Sequence, residues 1–140
     1  MGGFPQMQPD ERDEFLAGPH IAVMATERPD GRPHLSPVWY LWDGTEFRFV
    51  IEPRSVKHHN LALRPRLSVC VDKKSWPYAS VIADCDVTLR DYRLGYPSDL
   101  AQRYLEGDRL DSFLARYEGT EWVVTHAVPV SWYGHINRAG

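Results

Sequence analysis

The chain has 140 residues, 43% of them hydrophobic, which suits one compact domain over residues 1–140. Its formal net charge of -3 lacks the basic excess that nucleic acids and acidic membrane surfaces attract, so neither partner is expected. Two cysteines are too few for a disulfide framework or a metal cluster, and no apolar run reaches the ~20 residues that cross a bilayer. These features predict a protein of the cytoplasm.

The first third of the chain predicts a short helix and then a meander of three antiparallel strands. The helix covers residues 11–17, after Pro9-Asp10 and before Gly18-Pro19. Alternating apolar residues, with turn signals at 29–33 and at Asp43-Gly44, predict the strands. They cover residues 21–26, 34–42 and 47–51. Pro37 cannot donate a ladder hydrogen bond, so it indicates an edge or a bulge in the second strand.

The remaining elements are a capped helix, two strands, a helical hairpin and a last long strand. Ser55 is expected to cap a helix that ends near Arg64, before Pro65. Strands follow over 67–71 and 81–89, the second with Cys85 in the core. The hairpin opens at Pro97 and is interrupted at Gly107. One face of the last strand is predicted to carry Trp122, Val124, His126, Val128, Val130 and Trp132.

Six antiparallel strands with few helices predict a mainly β domain. Closing the sheet into a barrel protects the strand edges at this size. Periodicity alone leaves open whether the barrel is of the split, lipocalin-like or OB-like kind.

The most informative stretch for function is Arg54-Ser55-Val56-Lys57, at the start of a helix that follows a strand. The first N–H groups of a helix and its dipole favour an anion, and here two cations and a hydroxyl stand beside them. A phosphate group fits this chemistry. The alternative is a basic surface that is only solvated.

Two further segments have both a structural and a ligand-binding interpretation. Pro37 interrupts the ladder hydrogen bonds between Ser36 and Val38. This interruption can leave backbone groups available to a ligand, or it can simply mark an edge strand. Trp76 and Tyr78 flank a proline and suit stacking on a planar ring system, or capping of the barrel.

Other chemistries lack support in the sequence. The six histidines include no HxH or HxxxH pattern, so no metal site is expected. The nucleophile elbow GxSxG, the Walker loop and GxGxxG do not occur, which leaves hydrolase, P-loop and Rossmann interpretations without a motif. No side chain stands out as an obligatory acid or base, and no catalytic residue is assigned.

Four segments in a fixed order carry a family resemblance. They run from Ala25-Thr26 to the turn at 29–33, over Ser36-Pro37-Val38, from Arg54 through Asn60-Leu61, and from Val71-Asp72 to Trp76 and Tyr78. In this order the stretch from Phe15 to Val87 resembles the pyridoxamine 5'-phosphate oxidase-like split-barrel flavoproteins. The resemblance is to their flavin/deazaflavin oxidoreductase B group, which uses coenzyme F420.

The resemblance implies a six-stranded antiparallel split β-barrel, the FMN-binding split barrel, paired as a homodimer. It implies that Arg54, Ser55 and Lys57 hold the cofactor phosphate, with Asn60 in the same motif. Ser36, Pro37 and Val38 then lie along the tricyclic ring. Trp76, Tyr78 and the strand around Trp132 contact a cofactor held mainly by the partner chain.

The function implied by the resemblance is an oxidoreductase that transfers a hydride from reduced coenzyme F420 to a small unsaturated organic acceptor. Two alternatives stay open. One is an FMN-dependent oxidase or reductase of the same fold, and the other is a protein that binds a flavin or haem without turnover. Coenzyme F420 has carboxylates beyond its phosphate, for which Arg48, Lys73 and Lys74 are candidate partners.

Overall fold

The computed structural model describes residues 6–137, which form seven strands and four short helices. The strands are β1 (Ala22–Glu27), β2 (Pro33–Val38), β3 (Leu41–Trp42), β4 (Phe47–Ile51), β5 (Arg66–Lys73), β6 (Ala79–Tyr92) and β7 (Trp122–Ile136). The helices are α1 (Pro9–Leu16), α2 (Val56–Leu63), α3 (Ser98–Tyr104) and α4 (Gly107–Arg116).

All the strands belong to one antiparallel sheet with the order β2-β1-β5-β6-β7-β4-β3. Its two edge strands, β2 and β3, are consecutive in the chain and are joined only by Trp39 and Tyr40. The sheet therefore curves back on itself into a barrel that stays open along β2, as in a split barrel. The mainly β fold class with short helices is confirmed, and Pro37 lies on an edge strand as the sequence indicates.

The sheet has seven strands rather than the six expected, because the predicted strand over 34–42 is two strands. The main-chain N–H of Tyr40 donates to the Tyr104 hydroxyl at 3.1 Å instead of entering a ladder. The buried Tyr40 hydroxyl lies 2.9 Å from the carbonyl oxygens of both Leu16 and Gly18, and its single proton is shared between these two acceptors. The chain thus leaves one edge of the sheet at Val38 and re-enters at the other edge at Leu41.

The prediction that one face of β7 carries all six residues from Trp122 to Trp132 is wrong, because the strand changes phase within this stretch. Between Pro129, opposite Cys85, and Ser131, opposite Asp84, the chain holds one extra residue, Val130, which forms a β-bulge. Before the bulge the core-facing set is Val123, Thr125 and Ala127, and after it the set includes Trp132. Val128 consequently lies on the opposite face from Trp132 and is exposed.

The core fills the barrel with aliphatic and aromatic side chains, among them Tyr40, Phe47, Phe49 and Met24, all fully buried. Cys85 is buried there too, as predicted. Helix α1 begins at Pro9, as its proline and acidic first turn favour, and its last residue, Leu16, enters the core. In the described residues, no helix is both long enough and apolar enough to cross a membrane.

Candidate functional site

A cavity of about 460 Å³ lies in the split, between the end of β2 and the end of β4. Pro37 and Val38 contribute one side and Val50 and Ile51 the other. Strand β4 pairs with the short β3 only at Phe47 and Arg48, so its last residues have no ladder partner on this side. The opening is therefore produced by the early end of β3, and the start of α2 borders it with Ser55 and Lys57.

The start of α2 has the features of an anion site. Val56 and Lys57 are its first two residues, and their main-chain N–H groups make no hydrogen bond to another described residue. Free amides at the positive end of a helix dipole attract anions. The Lys57 ammonium reaches across the split to within 3.4 Å of the Ser36 hydroxyl oxygen. Charge, amides and a hydroxyl from two separate elements are thus brought to one place.

Ser55 is the N-cap of α2, as predicted, and this role occupies its hydroxyl. The oxygen accepts the main-chain N–H of His58 at 3.2 Å, and the hydroxyl donates to the Glu52 carbonyl at 2.7 Å. To donate to a phosphate it must give up the Glu52 carbonyl. The main role of Ser55 at the site is therefore to cap α2 and fix the conformation of its first turn.

Among the residues that the structure describes, Arg54 is the non-glycine residue whose φ angle is positive, at 64°. An L-residue in this left-handed region is strained by about 1–2 kcal/mol, so surrounding contacts must hold it there. One such contact is the hydrogen bond that the Arg54 main-chain N–H donates to Nδ1 of His58 at 2.9 Å. The Arg54 side chain borders a second groove of about 750 Å³ with Arg28, His58 and His59.

The remaining predicted residues lie apart from this group. Asn60 is 2% exposed, and its amide Nδ2 donates to Thr26 Oγ1 at 3.1 Å, which ties α2 to β1. Trp76 and Tyr78 are exposed in the β5–β6 turn, with their rings edge to face 5.7 Å apart. Tyr78 borders a different cavity with Lys73. Within one chain these two aromatics do not reach the split.

Two of the three candidate cations for a cofactor tail already have carboxylate partners. Arg48 pairs with Asp99, and Lys74 pairs with Asp72 at 3.0 Å. A second groove, which Ser55 also lines, contains the cations Arg28 and Arg54 beside the carboxylate Asp30 and the imidazoles of His58 and His59.

Sequence reasoning missed the aromatic residues of the split cavity, which are Trp39, Tyr96, Phe113, Tyr117 and Trp122. Phe113 and Tyr117 stand at helical spacing in the sequence, a pattern that core packing also produces. The unusual density of aromatic residues between 96 and 122 is the signal that could have indicated more than packing.

Comparisons with known proteins agree with this architecture. The family model described as Pyridoxamine 5'-phosphate oxidase matches residues 8–113, and the chain belongs to this family. The resemblance found in the sequence is thereby confirmed at the level of the family.

Solved structures support the same fold. A conserved hypothetical protein from Mycobacterium tuberculosis is 21% identical with a TM-score of 0.74, covering 99% of this chain and 89% of that one. A structure described as an F420 reductase is 23% identical with a TM-score of 0.66, covering 86% and 94%. A FAD-binding protein from Mesorhizobium loti is 20% identical with a TM-score of 0.68, covering 98% of each chain.

Proposed function

We propose that the chain is an oxidoreductase that binds a phosphorylated flavin-type cofactor, coenzyme F420, in the split and passes a hydride from it to a small unsaturated acceptor. The observation that carries the proposal is the approach of Lys57 to Ser36 beside the free amides of α2. A phosphate oxygen accepts hydrogen bonds from all of these donors. The described residues therefore fit the phosphate of such a cofactor.

The chain's own residues supply position and electrostatics. Lys57 offsets the charge of a phosphate, and Pro37 and Val38 provide an apolar strand edge for a flat ring. When bound, a reduced flavin or deazaflavin supplies the hydride. Among the described residues, the charged members of the cavity lining are Glu52 and Lys57, which carry opposite charges.

The proposal includes a homodimer, for which the outer face of the sheet provides the surface. Val23, Cys70, Ile82 and Tyr133 form one continuous row across β1, β5, β6 and β7. Ile82 is 46% exposed and Tyr133 is 47% exposed. Exposed apolar rows of this kind are typical of protein interfaces. When a second copy packs on this face, Trp76 and Tyr78 of one chain can lie beside the cofactor that the other chain holds.

FMN is the second candidate cofactor, and a specific observation favours it. Arg48 already forms an ion pair with Asp99, and Lys74 forms one with Asp72. A cofactor that ends at its phosphate needs no further cations. Coenzyme F420 instead requires the groove of Arg28, Arg54, His58 and His59 for its additional carboxylates.

A direct competition tests the proposal. The purified protein is titrated with FMN and with coenzyme F420 at one ionic strength, and each reduced cofactor is then assayed for acceptor-dependent oxidation. We expect tighter binding of coenzyme F420 and turnover with it. Tighter FMN binding with FMN-dependent turnover contradicts the choice of cofactor. Binding of either cofactor, or of haem, without turnover contradicts the enzyme assignment.

A further inference from the structure

The ladder between β1 and β2 stops where its own register would still continue. Its last pair is Ala22 opposite Val38, so the same register carried two residues further places His20 opposite Tyr40. At the other end of the ladder the main-chain N–H of Arg28 donates to the carbonyl of Arg32 at 2.9 Å. Hydrogen-bonded pairs recur at every second residue of an antiparallel ladder, so His20 and Tyr40 would form another such pair.

The hydroxyl of Tyr104 occupies the place of this missing pair. It donates to the His20 carbonyl oxygen at 2.7 Å and accepts the main-chain N–H of Tyr40 at 3.1 Å. These are the carbonyl and the N–H that would join each other directly if the ladder continued. Because an oxygen atom stands between them, the two main chains lie further apart here than in a paired ladder.

Helix α3 holds this hydroxyl in a fixed position. Leu100 and Ala101 anchor the helix, since both are buried. The Arg103 guanidinium donates to the carbonyls of Ala17 and Gly18 at 3.2 and 2.9 Å, which fastens α3 to the end of α1. The Tyr104 ring stacks on Trp39 with centroids 4.9 Å apart and planes 4° apart. The position of the hydroxyl therefore depends on several contacts besides the two main chains that it bridges.

The two residues next to the bridged pair line the split cavity. Ile21 follows His20 and Trp39 precedes Tyr40, and both border the cavity together with Pro37 and Val38. Ile21 is 47% exposed, so core packing does little to fix its side chain. The separation of the two main chains at residues 20 and 40 therefore determines where Ile21 and Trp39 stand at this end of the cavity.

The bridge needs a group that donates and accepts at one atom. A protonated phenol does both, whereas a phenolate only accepts. Burial raises the pKa of Tyr104, so its hydroxyl keeps its proton at neutral pH. Phenylalanine keeps the ring that stacks on Trp39 but has neither the donor nor the acceptor. The hydroxyl and the ring can therefore be tested separately.

We propose that Tyr104 is a positioning residue whose hydroxyl keeps β1 and β2 apart at the split and so places Ile21 and Trp39 for the ring of the cofactor. This inference rests on the proposed function, in which that ring lies along Pro37 and Val38. Tyr104 acts through the main chains of residues 20 and 40. Without the hydroxyl, the Tyr40 N–H pairs directly with the His20 carbonyl, the ladder gains one pair, and the cavity narrows.

The variant Tyr104→Phe tests the role of the hydroxyl in two measurements. In NMR spectra of the cofactor-free protein, we expect nuclear Overhauser contacts between main-chain protons of residues 20 and 40 to be strong in the variant and weak in the unaltered protein. Fluorescence titration should show a loss of about tenfold in affinity for FMN and for riboflavin alike, because the narrowed cavity affects the ring that both molecules share.

The control separates a change in position from a general loss of stability. Val69→Ala leaves a void in the core at the centre of β5, away from residues 20 and 40, and so lowers the free energy of unfolding. It should change both affinities less than twofold and leave the contacts between residues 20 and 40 weak.

Unchanged flavin affinities in Tyr104→Phe, or a loss that Val69→Ala reproduces, overturn the inference. Contacts between residues 20 and 40 that are equally strong in the variant and in the unaltered protein also overturn it. An unaltered protein that binds neither FMN nor coenzyme F420 contradicts the proposed function instead. In that case the contacts between residues 20 and 40 alone decide whether the Tyr104 hydroxyl keeps the two strands apart.

Discussion

Lys57 and Ser36 are 21 residues apart in the sequence, yet the lysine Nζ lies 3.4 Å from the serine Oγ across the split of the barrel. This approach joins the first turn of α2 to edge strand β2. It depends on the early end of β3, because a longer β3 would fill the space that the lysine crosses. The opening of the sheet and the placement of positive charge thus have one structural origin.

The first prediction isolates the contact between Lys57 and a phosphate. Lys57→Ala removes a charge-assisted hydrogen bond worth about 1.5–3 kcal/mol, so FMN affinity should fall about 10- to 100-fold. Riboflavin lacks the phosphate, and its affinity should change little. Fluorescence titration measures both. Arg93→Ala, which removes an exposed cation paired with Glu121, is the charge-matched control. If Lys57→Ala lowers the affinities for FMN and riboflavin equally, Lys57 does not contact the phosphate.

The second prediction uses the left-handed backbone of Arg54. Arg54→Gly relieves a conformation that glycine adopts freely, so the free energy of unfolding should rise by about 0.5–1 kcal/mol and the Tm by about 3 °C. The same substitution removes a cation beside Ser55, so FMN affinity should fall. Thermal melts measure the stability and titration measures the FMN affinity. A variant that is more stable but binds FMN more weakly shows that Arg54 serves ligand binding at the expense of stability. A less stable variant with unchanged FMN affinity contradicts this view.

Local features of the fold could be predicted from the sequence, and features set by distant contacts could not. Ser55 was identified as a helix cap because its cap partner, His58, is three residues away. The break at Tyr40 was missed because its partner, Tyr104, is 64 residues away. The exposed position of Val128 follows from a bulge in the pairing of β7 with β6, which no alternation within β7 reveals.

The same distinction applies to the site. The cations near the start of α2 and the interrupted edge around Ser36 were each identified, but their meeting depends on the curvature of the sheet. The aromatic lining of the split cavity is not predicted from the sequence, because Phe113 and Tyr117 have the spacing of any amphipathic helix. Only the cavity shows that this apolar side faces open space as well as the barrel.

The third prediction concerns the outer face of the sheet. Ile82→Asp places a charge in the middle of the exposed row that includes Val23 and Tyr133, so a dimer through this face should dissociate. Sedimentation should then give the 16.1 kDa of one chain, against about twice that mass for the unaltered protein. Leu94→Asp is the control, because Leu94 is 81% exposed and lies outside the row. An unaltered protein that is already monomeric with its cofactor bound contradicts the dimer.

The fourth prediction tests what Asn60 does. Its amide donates to the buried Thr26 hydroxyl, so Asn60→Ala should lower the free energy of unfolding by about 1–3 kcal/mol. Combined with Thr26→Val, the loss should be smaller than the sum of the single losses, because each single variant leaves a buried partner unpaired. Chemical denaturation of the four proteins measures this coupling. FMN affinity should stay within twofold in Asn60→Ala, and a tenfold loss would instead support a direct role at the cofactor.

The last prediction follows from the buried thiol of Cys85. Burial, and then the charges of Asp84 and Asp86, raise the pKa of this thiol to about 12 from an ordinary value of 9.0. Above pH 9 the unfolded chain therefore loses a proton that the folded chain keeps, and the free energy of unfolding falls as the pH rises towards 12. One such group contributes a slope that approaches about 1.4 kcal/mol per pH unit. Urea denaturation between pH 8 and pH 11 should show a steeper decline for the unaltered protein than for Cys85→Ala, which has no thiol to ionise at this position. Parallel pH profiles for the two proteins would mean that the folded and unfolded thiols ionise alike, which contradicts a core position for Cys85.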